Sequence, residues 1–229
     1  MIRIEPFGAE ALMLTLADTP KERLPGRIAQ LADNLSQALG DALIDLVPGW
    51  TTLLIHYDVM QYSLSEIQAR VMPVIEDWHQ ESDDLERVAR LHEIPVWYAG
   101  PDLESVAKAC SLAVEQVIDL HSRREYRVGA IGFAPGFPYL GELDERLVLP
   151  RLASPRVRVE AGSVAIAERQ TAIYPQASPG GWHVLGFSAW RLFDPQAEPP
   201  CPLAAGDRVR FIAVDEATYR AEGGQAAWD

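Results

Sequence analysis

Two stretches rich in glycine, proline and aromatic residues, 131–141 and 161–183, most constrain what this chain can fold into. The first is Ile131-Gly132-Phe133-Ala134-Pro135-Gly136-Phe137-Pro138-Tyr139-Leu140-Gly141, and the second contains Ala161-Gly162-Ser163-Val164, Gln170-Thr171-Ala172-Ile173-Tyr174-Pro175 and Ser178-Pro179-Gly180-Gly181-Trp182-His183. Glycine permits positive φ, whereas proline fixes φ and removes a hydrogen-bond donor. The mixture is typical of tight loops between short strands. Two interpretations follow: the loops only turn a β-domain, or they line a pocket.

The downstream part of the chain has the pattern of a small β-domain. Short apolar runs alternate with glycine- and proline-rich turns, which is typical of a β-barrel or a sandwich. The predicted strands cover 127–133, 157–159, 162–166, 171–174, 184–187, 190–193 and 208–214. Two short helices over 102–110 and 113–123 precede them, and 221–229 is expected to be a loose tail.

The upstream part reads as a compact α/β unit. Apolar periodicity predicts a strand, a helix, two strands, a helix and a strand over 11–16, 19–40, 43–47, 51–57, 63–78 and 94–97. This is the order of a ferredoxin-like split βαβ unit. Thr19 with Glu22, and Ser63 with Glu66, have the spacing of capping boxes, and Pro73 predicts a kink or a break.

The change of pattern predicts two domains of a mixed α+β protein. We expect a ferredoxin-like α/β domain over 1–90, a polar connector at 81–84, and a β-domain over 91–229. The first domain carries isolated histidines and an excess of acidic residues, so it is better interpreted as a scaffold or docking surface than as an active site.

Charge and cysteine content exclude several classes of function. The formal net charge of −13 disfavours binding to nucleic acid or to anionic membranes, so partners should be small molecules or proteins. The two cysteines, Cys110 and Cys201, have no CxxC or Cys/His spacing around them, so neither a disulfide framework nor a metal site is predicted. No charged and apolar leader and no run of about 18 apolar residues occurs, which favours a cytoplasmic location.

Arginines are concentrated at one place in this acidic chain. Arg146, Arg151, Arg156 and Arg158 follow one another with no acidic residue between Arg146 and Val159. Because a guanidinium fork matches carboxylate and phosphate, this cluster is the best candidate for anion binding. The alternative is a solvated basic edge that balances neighbouring acids.

Several short motifs resemble one known family when they are taken in order. They are His121-Ser122 with Tyr126, the glycine–aromatic run over 132–141, Pro150-Arg151 with Pro155-Arg156, Ala161-Gly162-Ser163-Val164, Gln170-Thr171 with Tyr174-Pro175, and Ser178-Pro179-Gly180-Gly181-Trp182. In these motifs the chain resembles the family of the 5-oxoprolinase B subunit, which also includes allophanate hydrolase subunit 1 and the sporulation kinase inhibitor KipI. The resemblance implies a ferredoxin-like N-terminal domain and a cyclophilin-like β-barrel of carboxyltransferase type. The chain departs from the family pattern at Glu160, Ala165 and Gly186-Phe187-Ser188, where the last change removes a candidate anion contact.

The resemblance also implies a reaction. The B subunit of this family acts with a C subunit, which has a related fold, and for 5-oxoproline also with an A subunit. Together they open the lactam to glutamate at the expense of ATP. The chain would then be part of an ATP-dependent amidohydrolase and inactive alone. Neither a P-loop nor GxGxxG occurs, so ATP, with Mg²⁺, is expected to be held mainly by the partner subunit or shared with it.

The expected catalytic residues are His121, Arg151, Gln170 and Tyr174. His121 is the candidate general acid or base because the usual pKa of histidine lies near neutrality. The residues expected to bind substrate or ATP are Phe133, Pro135, Gly136, Tyr139, Arg156, Arg158, Ser178, Gly180, Gly181, Trp182 and His183. For each there is a structural alternative: His121 caps the helix that it ends, Gln170 satisfies buried backbone, and Trp182 is plain core.

Other functions of the same family give the alternatives. A KipI-like protein would inhibit a sensor histidine kinase, and its groove would hold a proline-containing segment of a protein. An allophanate hydrolase or urea carboxylase type of subunit would act on another amide or transfer a carboxyl group. Prolyl isomerase activity is a weaker alternative, because a shared fold does not carry its chemistry.

Overall fold

The structure is a computed structural model that describes residues 2–80 and 89–225. The chain divides into two compact units, Met1–Ala89 and Arg90–Asp229. Each unit has its own apolar core, and the two are described separately. The predicted connector at 81–84 lies outside the described residues.

The N-terminal unit is a four-stranded antiparallel sheet with two helices. Its elements are β1 (Arg3–Pro6), β2 (Ala11–Thr15), α1 (Leu24–Leu39), β3 (Leu43–Pro48), β4 (Thr52–Tyr57) and α2 (Leu64–Gln80). The order of the strands in the sheet is β1-β2-β4-β3. Leu12, Leu14 and Ile55 of the sheet are fully buried in one cluster with Ile28 and Val71 of the helices.

This arrangement confirms the ferredoxin-like architecture, but one strand of the sheet comes from a different part of the chain than predicted. β2, α1 and β3 form the split βαβ unit, because β4 lies between the two strands. The edge strand beside β2 is β1, from the start of the chain, and the assignment of 94–97 to this sheet was wrong. Ile94 and Val96 are fully buried in the barrel of the other unit instead.

The two helix starts differ in how well the sequence predicted them. At α2 the capping box is confirmed, since the Ser63 amide donates to Glu66 Oε2 at 2.8 Å and the Glu66 amide to Ser63 Oγ at 3.4 Å. The prediction of a capping box at Thr19 and Glu22 was wrong, because α1 begins only at Leu24. This helix has no side-chain cap and has Pro25 in its first turn. α2 continues through Pro73, so no break occurs there.

The C-terminal unit is a closed β-barrel with added helices. Its elements are β5 (Leu91–Trp97), α3 (Leu103–Ala109), α4 (Val114–Ser122), β6 (Glu125–Ile131), β7 (Pro138–Gly141), β8 (Arg156–Val159), β9 (Ser163–Ala167), β10 (Gln170–Ile173), β11 (Ser178–Gly180), β12 (His183–Phe187), β13 (Arg208–Val214) and α5 (Glu216–Ala221). Seven strands close in the order β10-β7-β6-β13-β5-β12-β9, and β8 pairs with β11 in a separate two-stranded sheet. β5 and β13 are parallel, from Arg208 opposite Leu91 to Val214 opposite Trp97. This architecture confirms the predicted α+β fold class with a cyclophilin-like barrel.

The wall of the barrel is apolar on both sides. Val164 and Ile166 of β9 point into an interior cluster to which all seven strands contribute. Ala165 and Ala167 alternate with them and belong to a second cluster, which contains Phe137, Tyr174 and Trp182. The second cluster lies on the outer face of the wall, and it carries the candidate site.

Some predicted elements differ from the observed ones. Residues 190–193 form no strand, whereas β1, β7 and β11 had not been predicted. Helix α5, Glu216–Ala221, had not been predicted either and ends at the first residue of the predicted tail. Residues 222–225 form no helix or strand, and 226–229 lie outside the described residues. Among residues 2–80 and 89–225, no helix is long and apolar enough to cross a membrane.

Candidate functional site

A shallow groove of about 250 Å³ lies on the outer face of the barrel. It is lined by Phe133, Phe137, Tyr139, Arg151, Pro155, Tyr174, Pro179, Gly180, Gly181 and Trp182. The two glycine- and proline-rich stretches of the sequence supply nearly all of these residues, and we call the site the aromatic groove. Its volume is just below the range of about 300–1,000 Å³ for small-molecule sites.

Phe137 organises the floor of the aromatic groove. Its ring lies edge to face with Tyr139, Tyr174 and Trp182 at centroid distances of 5.0, 5.3 and 6.0 Å. Phe137, Tyr174 and Trp182 are each 5% exposed or less, so burial fixes their orientation. Edge-to-face pairs of this kind stabilise the arrangement beyond the burial of area alone. The floor is therefore formed before any ligand arrives.

One wall of the groove comes from the loop between β6 and β7. Gly136 has φ +79°, and a Cβ at this position would collide with the Leu192 carbonyl oxygen. Phe133 also has positive φ, +72°, and its side chain is 68% exposed against the edge of Phe137. A non-glycine residue in this region of the Ramachandran map is strained, and such residues concentrate at functional sites.

The other wall comes from the separate two-stranded sheet. Pro155 lies just before β8, and Pro179 and Gly180 belong to β11. A Cβ on Gly180 would occupy the place of the Tyr174 hydroxyl and would lie 3.1 Å from Val159 Cγ2. Glycine at this position therefore lets the tyrosine reach the floor.

Tyr174 presents a neutral phenol at the groove. Burial raises the pKa of Tyr174 to about 12, because the low-dielectric surroundings disfavour the phenolate more than the positive charges of Arg151 and Arg156 favour it. At neutral pH the hydroxyl keeps its proton. It can therefore donate a hydrogen bond to a carbonyl or phosphoryl oxygen.

Arg151 supplies a positive charge at the groove. Its side chain is 58% exposed, and its Nε lies 3.5 Å from Glu168 Oε1. An exposed pair at this distance is weak, so the guanidinium can turn towards an anion without large cost.

The other two arginines expected at the site lie outside the groove lining. Arg156 Nη2 donates to Asp102 Oδ1 at 2.5 Å, and Asp102 Oδ2 accepts from the Val184 amide at 2.7 Å. Arg156 thus ties β8 to β12 through a buried carboxylate. Arg158 is exposed and paired with Glu160 at 2.6 Å. The continuous arginine cluster of the sequence is therefore split into separate ion pairs.

The structure places His121 in the barrel interior, away from the groove. The ring is fully buried and stacked on Phe211 at 4.6 Å. Tyr98 Oη lies 2.7 Å from Nδ1, and Thr171 Oγ1 lies 2.9 Å from Nε2. Because Thr171 Oγ1 donates to the Ala165 carbonyl at 3.0 Å, it accepts from Nε2–H, and Nδ1 accepts from Tyr98.

This environment does not suit a general acid or base. Burial lowers the pKa of His121 to about 3, since the interior disfavours the imidazolium. The neutral ring has both nitrogens engaged by protein groups. The predicted role of His121 in proton transfer has no support in this geometry, and the residue connects α4 to β10 instead.

The remaining predicted residues do not line the groove. Pro135 and Gly136 shape the loop, and Gln170 pairs with Gly141 and Ala167 along β10. His183 Nε2 donates to the Pro150 carbonyl at 2.9 Å. His183 Nδ1 and Ser178 Oγ are buried without a hydrogen-bond partner among the described residues.

Pro155 and Asp102 were not predicted as site residues, whereas Phe137 and Pro179 lie in the two stretches for which a pocket was one of the two interpretations. Pro155 belongs to a motif quoted above, so its neighbour Arg156 was the available signal. No signal in the sequence indicated Asp102, because its partner Arg156 is 54 residues away in the chain.

The departures from the family pattern do not line the groove. Phe187 is 1% exposed and packs near Trp97 at a centroid distance of 6.2 Å. Glu160 is the partner of Arg158. In residues 2–80 and 89–225 no group of three or more His, Cys, Asp or Glu side chains could hold a metal ion.

Comparison with known proteins gives one consistent result. The family model described as "Carboxyltransferase domain, subdomain C and D" matches residues 2–203. The chain is 38% identical to the 5-oxoprolinase B subunit of Bacillus subtilis (strain 168) over 229 residues, which cover 96% of this chain and 95% of that protein. It is 40% identical to the 5-oxoprolinase B subunit of Escherichia coli O157:H7, over 92% of this chain and 95% of that protein.

A solved structure has the same fold within a longer protein. The crystal structure of TTHA0988 is similar to 94% of this chain, with a TM-score of 0.78 and 38% identity. The present chain spans only 40% of the TTHA0988 chain.

Proposed function

Because this chain belongs to the carboxyltransferase-domain family (subdomains C and D) that includes the 5-oxoprolinase B subunit, we propose that it is the B subunit of an ATP-dependent 5-oxoprolinase. In this role it opens 5-oxo-L-proline to L-glutamate together with the C and A subunits. The observation that carries the proposal is the match to two bacterial B subunits over at least 92% of this chain and 95% of theirs.

The aromatic groove supports this choice of substrate. A five-membered lactam has two flat faces, an amide oxygen and a carboxylate, and the groove offers a partner for each. The rings of Phe137, Tyr139 and Trp182 form an apolar floor. The Tyr174 hydroxyl donates to the amide oxygen, and Arg151 pairs with the carboxylate.

These residues bind and orient the lactam. During ring opening, water adds to the carbonyl carbon, the C–N bond breaks, and the nitrogen leaves as an amine after it takes a proton. A neutral phenol with a pKa of about 12 stabilises negative charge on the carbonyl oxygen by hydrogen bonding without giving up its proton. The aromatic walls reduce the access of bulk water to the bound amide.

The groove fits the lactam better than it fits the nucleotide. Its volume is about 250 Å³, and among the arginines of the predicted cluster only Arg151 lines it, which suits a small monoanion. We place ATP, with its Mg²⁺, mainly on the partner subunit. Bound there, the nucleotide would supply the energy to activate an unstrained amide.

Two findings support a partner protein. The family description assigns the match to two of the subdomains of a carboxyltransferase domain, and TTHA0988 has a chain about two and a half times the length matched here, since the match covers 40% of it. A partner subunit would supply the remaining protein, and this chain would be inactive alone.

Reconstitution tests the function directly. ATP hydrolysis that depends on 5-oxoproline is measured with this chain alone, with a homologue of the C subunit, and with the C and A subunits together. Activity in the complete mixture only is the expected result. ATP hydrolysis by the chain alone would contradict the proposal that it needs partner subunits. The absence of activity in every mixture would contradict the proposed function.

Replacing Arg151 by alanine tests the carboxylate contact. We expect the KM for 5-oxoproline in the reconstituted complex to rise by about 10- to 100-fold, since charge-assisted hydrogen bonds contribute about 1.5–3 kcal/mol. The thermal unfolding of the isolated chain should not change, because the side chain is exposed. Arg169→Ala is the matched control, as Arg169 is also about half exposed and paired with acids, but does not line the groove. Equal KM values in the two variants would exclude the assignment.

Carboxyl transfer is the second candidate. The description of the matching family as a carboxyltransferase domain favours it. Such a subunit would accept a carboxyl group from a carrier, and Arg151 with Tyr174 would bind the transferred carboxylate. Carboxylation of an amide substrate by carboxybiotin, in a mixture that shows no lactam-dependent ATP hydrolysis, would select this function.

A further inference from the structure

The aromatic groove is surrounded by exposed apolar side chains that the chain itself does not cover. Phe133 and Val157 are 68% and 90% exposed, and they are the most exposed large apolar residues of the described part of the C-terminal unit. Pro155 and Pro179 line the groove and are also exposed. We call Phe133, Pro155, Val157 and Pro179 the apolar rim.

Strand alternation places Val157 on the groove side of β8. Residues 157 and 159 share one face of the strand, because successive side chains point to opposite faces. Pro155 lines the groove, and Val159 is fully buried in the same cluster as Tyr174 and Trp182. Val157 therefore continues the groove face outward and ends in solvent.

Phe133 reaches solvent at the cost of backbone strain. Its φ of +72° is unfavourable for a bulky residue, by about 1–3 kcal/mol. Its contact with the edge of Phe137, at a centroid distance of 5.3 Å, covers only part of the ring. An aromatic side chain that is held outward in a strained conformation is the kind of group that anchors a protein interface.

Charge at the rim is balanced within the chain. Arg151 faces Glu168, and Arg158 faces Glu160. A partner does not need to bring net charge to this face, so apolar contact decides the association. Exposed apolar surface arranged around a pocket is typical of a binding site for another protein.

We infer that the apolar rim is the docking surface for the C subunit, with Phe133 and Val157 as its two anchors. This inference rests on the proposed function, which supplies the partner. The unmatched remainder of the TTHA0988 chain, of which the match covers 40%, favours a tethered protein partner over a free peptide or a small molecule. Docking there closes the open groove and brings the nucleotide of the partner to the lactam.

The test measures the affinity of the full chain for a purified C subunit from the same organism by isothermal titration calorimetry. We expect Phe133→Ala and Val157→Lys each to weaken binding by about tenfold or more, as removal of a central anchor does. The matched controls are Phe7→Ala and Met60→Lys, which make similar changes at positions 58% and 89% exposed in the N-terminal unit. The controls should bind as the wild type does.

Two further measurements separate the anchor role from misfolding and from a charge effect. Phe133→Gly removes the ring and relieves the positive φ, so it should weaken binding while the thermal stability stays equal or rises. Because the rim is apolar, the dissociation constant should change by less than about threefold between low and high salt.

The outcomes distinguish this inference from the proposed function. If the wild type binds the C subunit to form an active complex, but the rim variants bind equally well, the docking surface is wrong and the function stands. If Phe133→Ala leaves the affinity unchanged and raises only the KM for 5-oxoproline, Phe133 is a wall for the substrate and the inference fails. If the wild type does not bind the C subunit, the proposed function and the docking surface fail together.

Discussion

Gly180 is the position at which the groove tolerates no side chain. A Cβ there would overlap the Tyr174 hydroxyl and crowd Val159. We expect Gly180→Ala to destabilise the chain by about 1–3 kcal/mol, as overpacking of a well-packed site does. Gly181→Ala is the matched control, since a Cβ at 181 would meet its nearest atoms at an ordinary 3.7 Å. Urea unfolding of both variants measures the difference, and equal losses would show that the Tyr174 contact is not the cause.

His121 predicts a pH dependence of stability. Its pKa is about 3 in the folded chain and near 6.5 when the chain is unfolded. Because the folded state excludes the proton, the stabilisation is fully present above pH 6.5 and is lost as the pH falls from 6.5 towards 3. The slope should approach about 1.4 kcal/mol per pH unit.

Comparison with a variant that does not titrate isolates this histidine. The free energy of unfolding is measured between about pH 7.5 and 4.5 for the wild type and for His121→Gln, a window that covers the pH at which the unfolded chain takes up the proton. The variant is less stable at neutral pH, and its profile should be flatter by the slope that His121 contributes. Parallel profiles would mean that another group causes the acid sensitivity.

At the scale of elements, the ion pair of Asp102 and Arg156 holds β8 against the barrel. Asp102 is 6% exposed, and its carboxylate also accepts from the Val184 amide. Removing Arg156 would leave a buried charge without its partner, and we expect Arg156→Ala to cost roughly 3–5 kcal/mol. Arg158→Ala, two residues along the same strand, should leave the unfolding free energy unchanged, because that pair is exposed. Chemical denaturation of the two variants measures both unfolding free energies. A small loss of stability in Arg156→Ala would contradict the role of this ion pair.

The same pair shows where sequence reasoning about the site reached its limit. Spacing alone grouped Arg146 with Arg151, Arg156 and Arg158 as one anion site, although only Arg151 of the four lines the groove. The partner of Arg156 is distant in the chain, and no local pattern indicates it. The burial of His121 was not predicted for a related reason, since it depends on α4 packing against β13 and not on its neighbours in sequence.

The groove itself was predictable because most of its residues belong to two short stretches of the sequence, 131–141 and 161–183. Phe133, Tyr139, Tyr174, Gly180, Gly181 and Trp182 were expected at a pocket, and the structure brings them together. Turn chemistry and aromatic content specify such loops over a few residues. The open question in the sequence, whether the loops only turn or also line a pocket, is answered by the floor around Phe137.

Among the strands, prediction worked where alternation was clear. β2, β4 and β13 were found because apolar residues recur along them, whereas β1 is almost wholly exposed and gave no such signal. The strand at 94–97 was located correctly but assigned to the wrong sheet. Ile94 and Val96 are buried in the barrel, but the core of either unit could bury them. Apolar periodicity predicts that a strand is buried and does not indicate to which sheet it belongs.

At the scale of the whole molecule, each unit has the core that independent folding requires. The cluster around Leu12 and Leu53 belongs to Met1–Ala89, and the barrel clusters belong to Arg90–Asp229. A barrel unit of this length is within the size range of single domains that fold alone. We expect a fragment of residues 90–229 to fold by itself and to keep the aromatic groove.

Thermal unfolding of the fragment provides the check. It should show one cooperative transition, with the same loss of stability on acidification that His121 gives the full chain, because the histidine and its partners Tyr98 and Thr171 all lie in this unit. His121→Gln in the fragment is the control for that slope. A fragment without a cooperative transition would show that the barrel needs the N-terminal unit to fold. The apolar clusters would then describe packing, and not the units of folding.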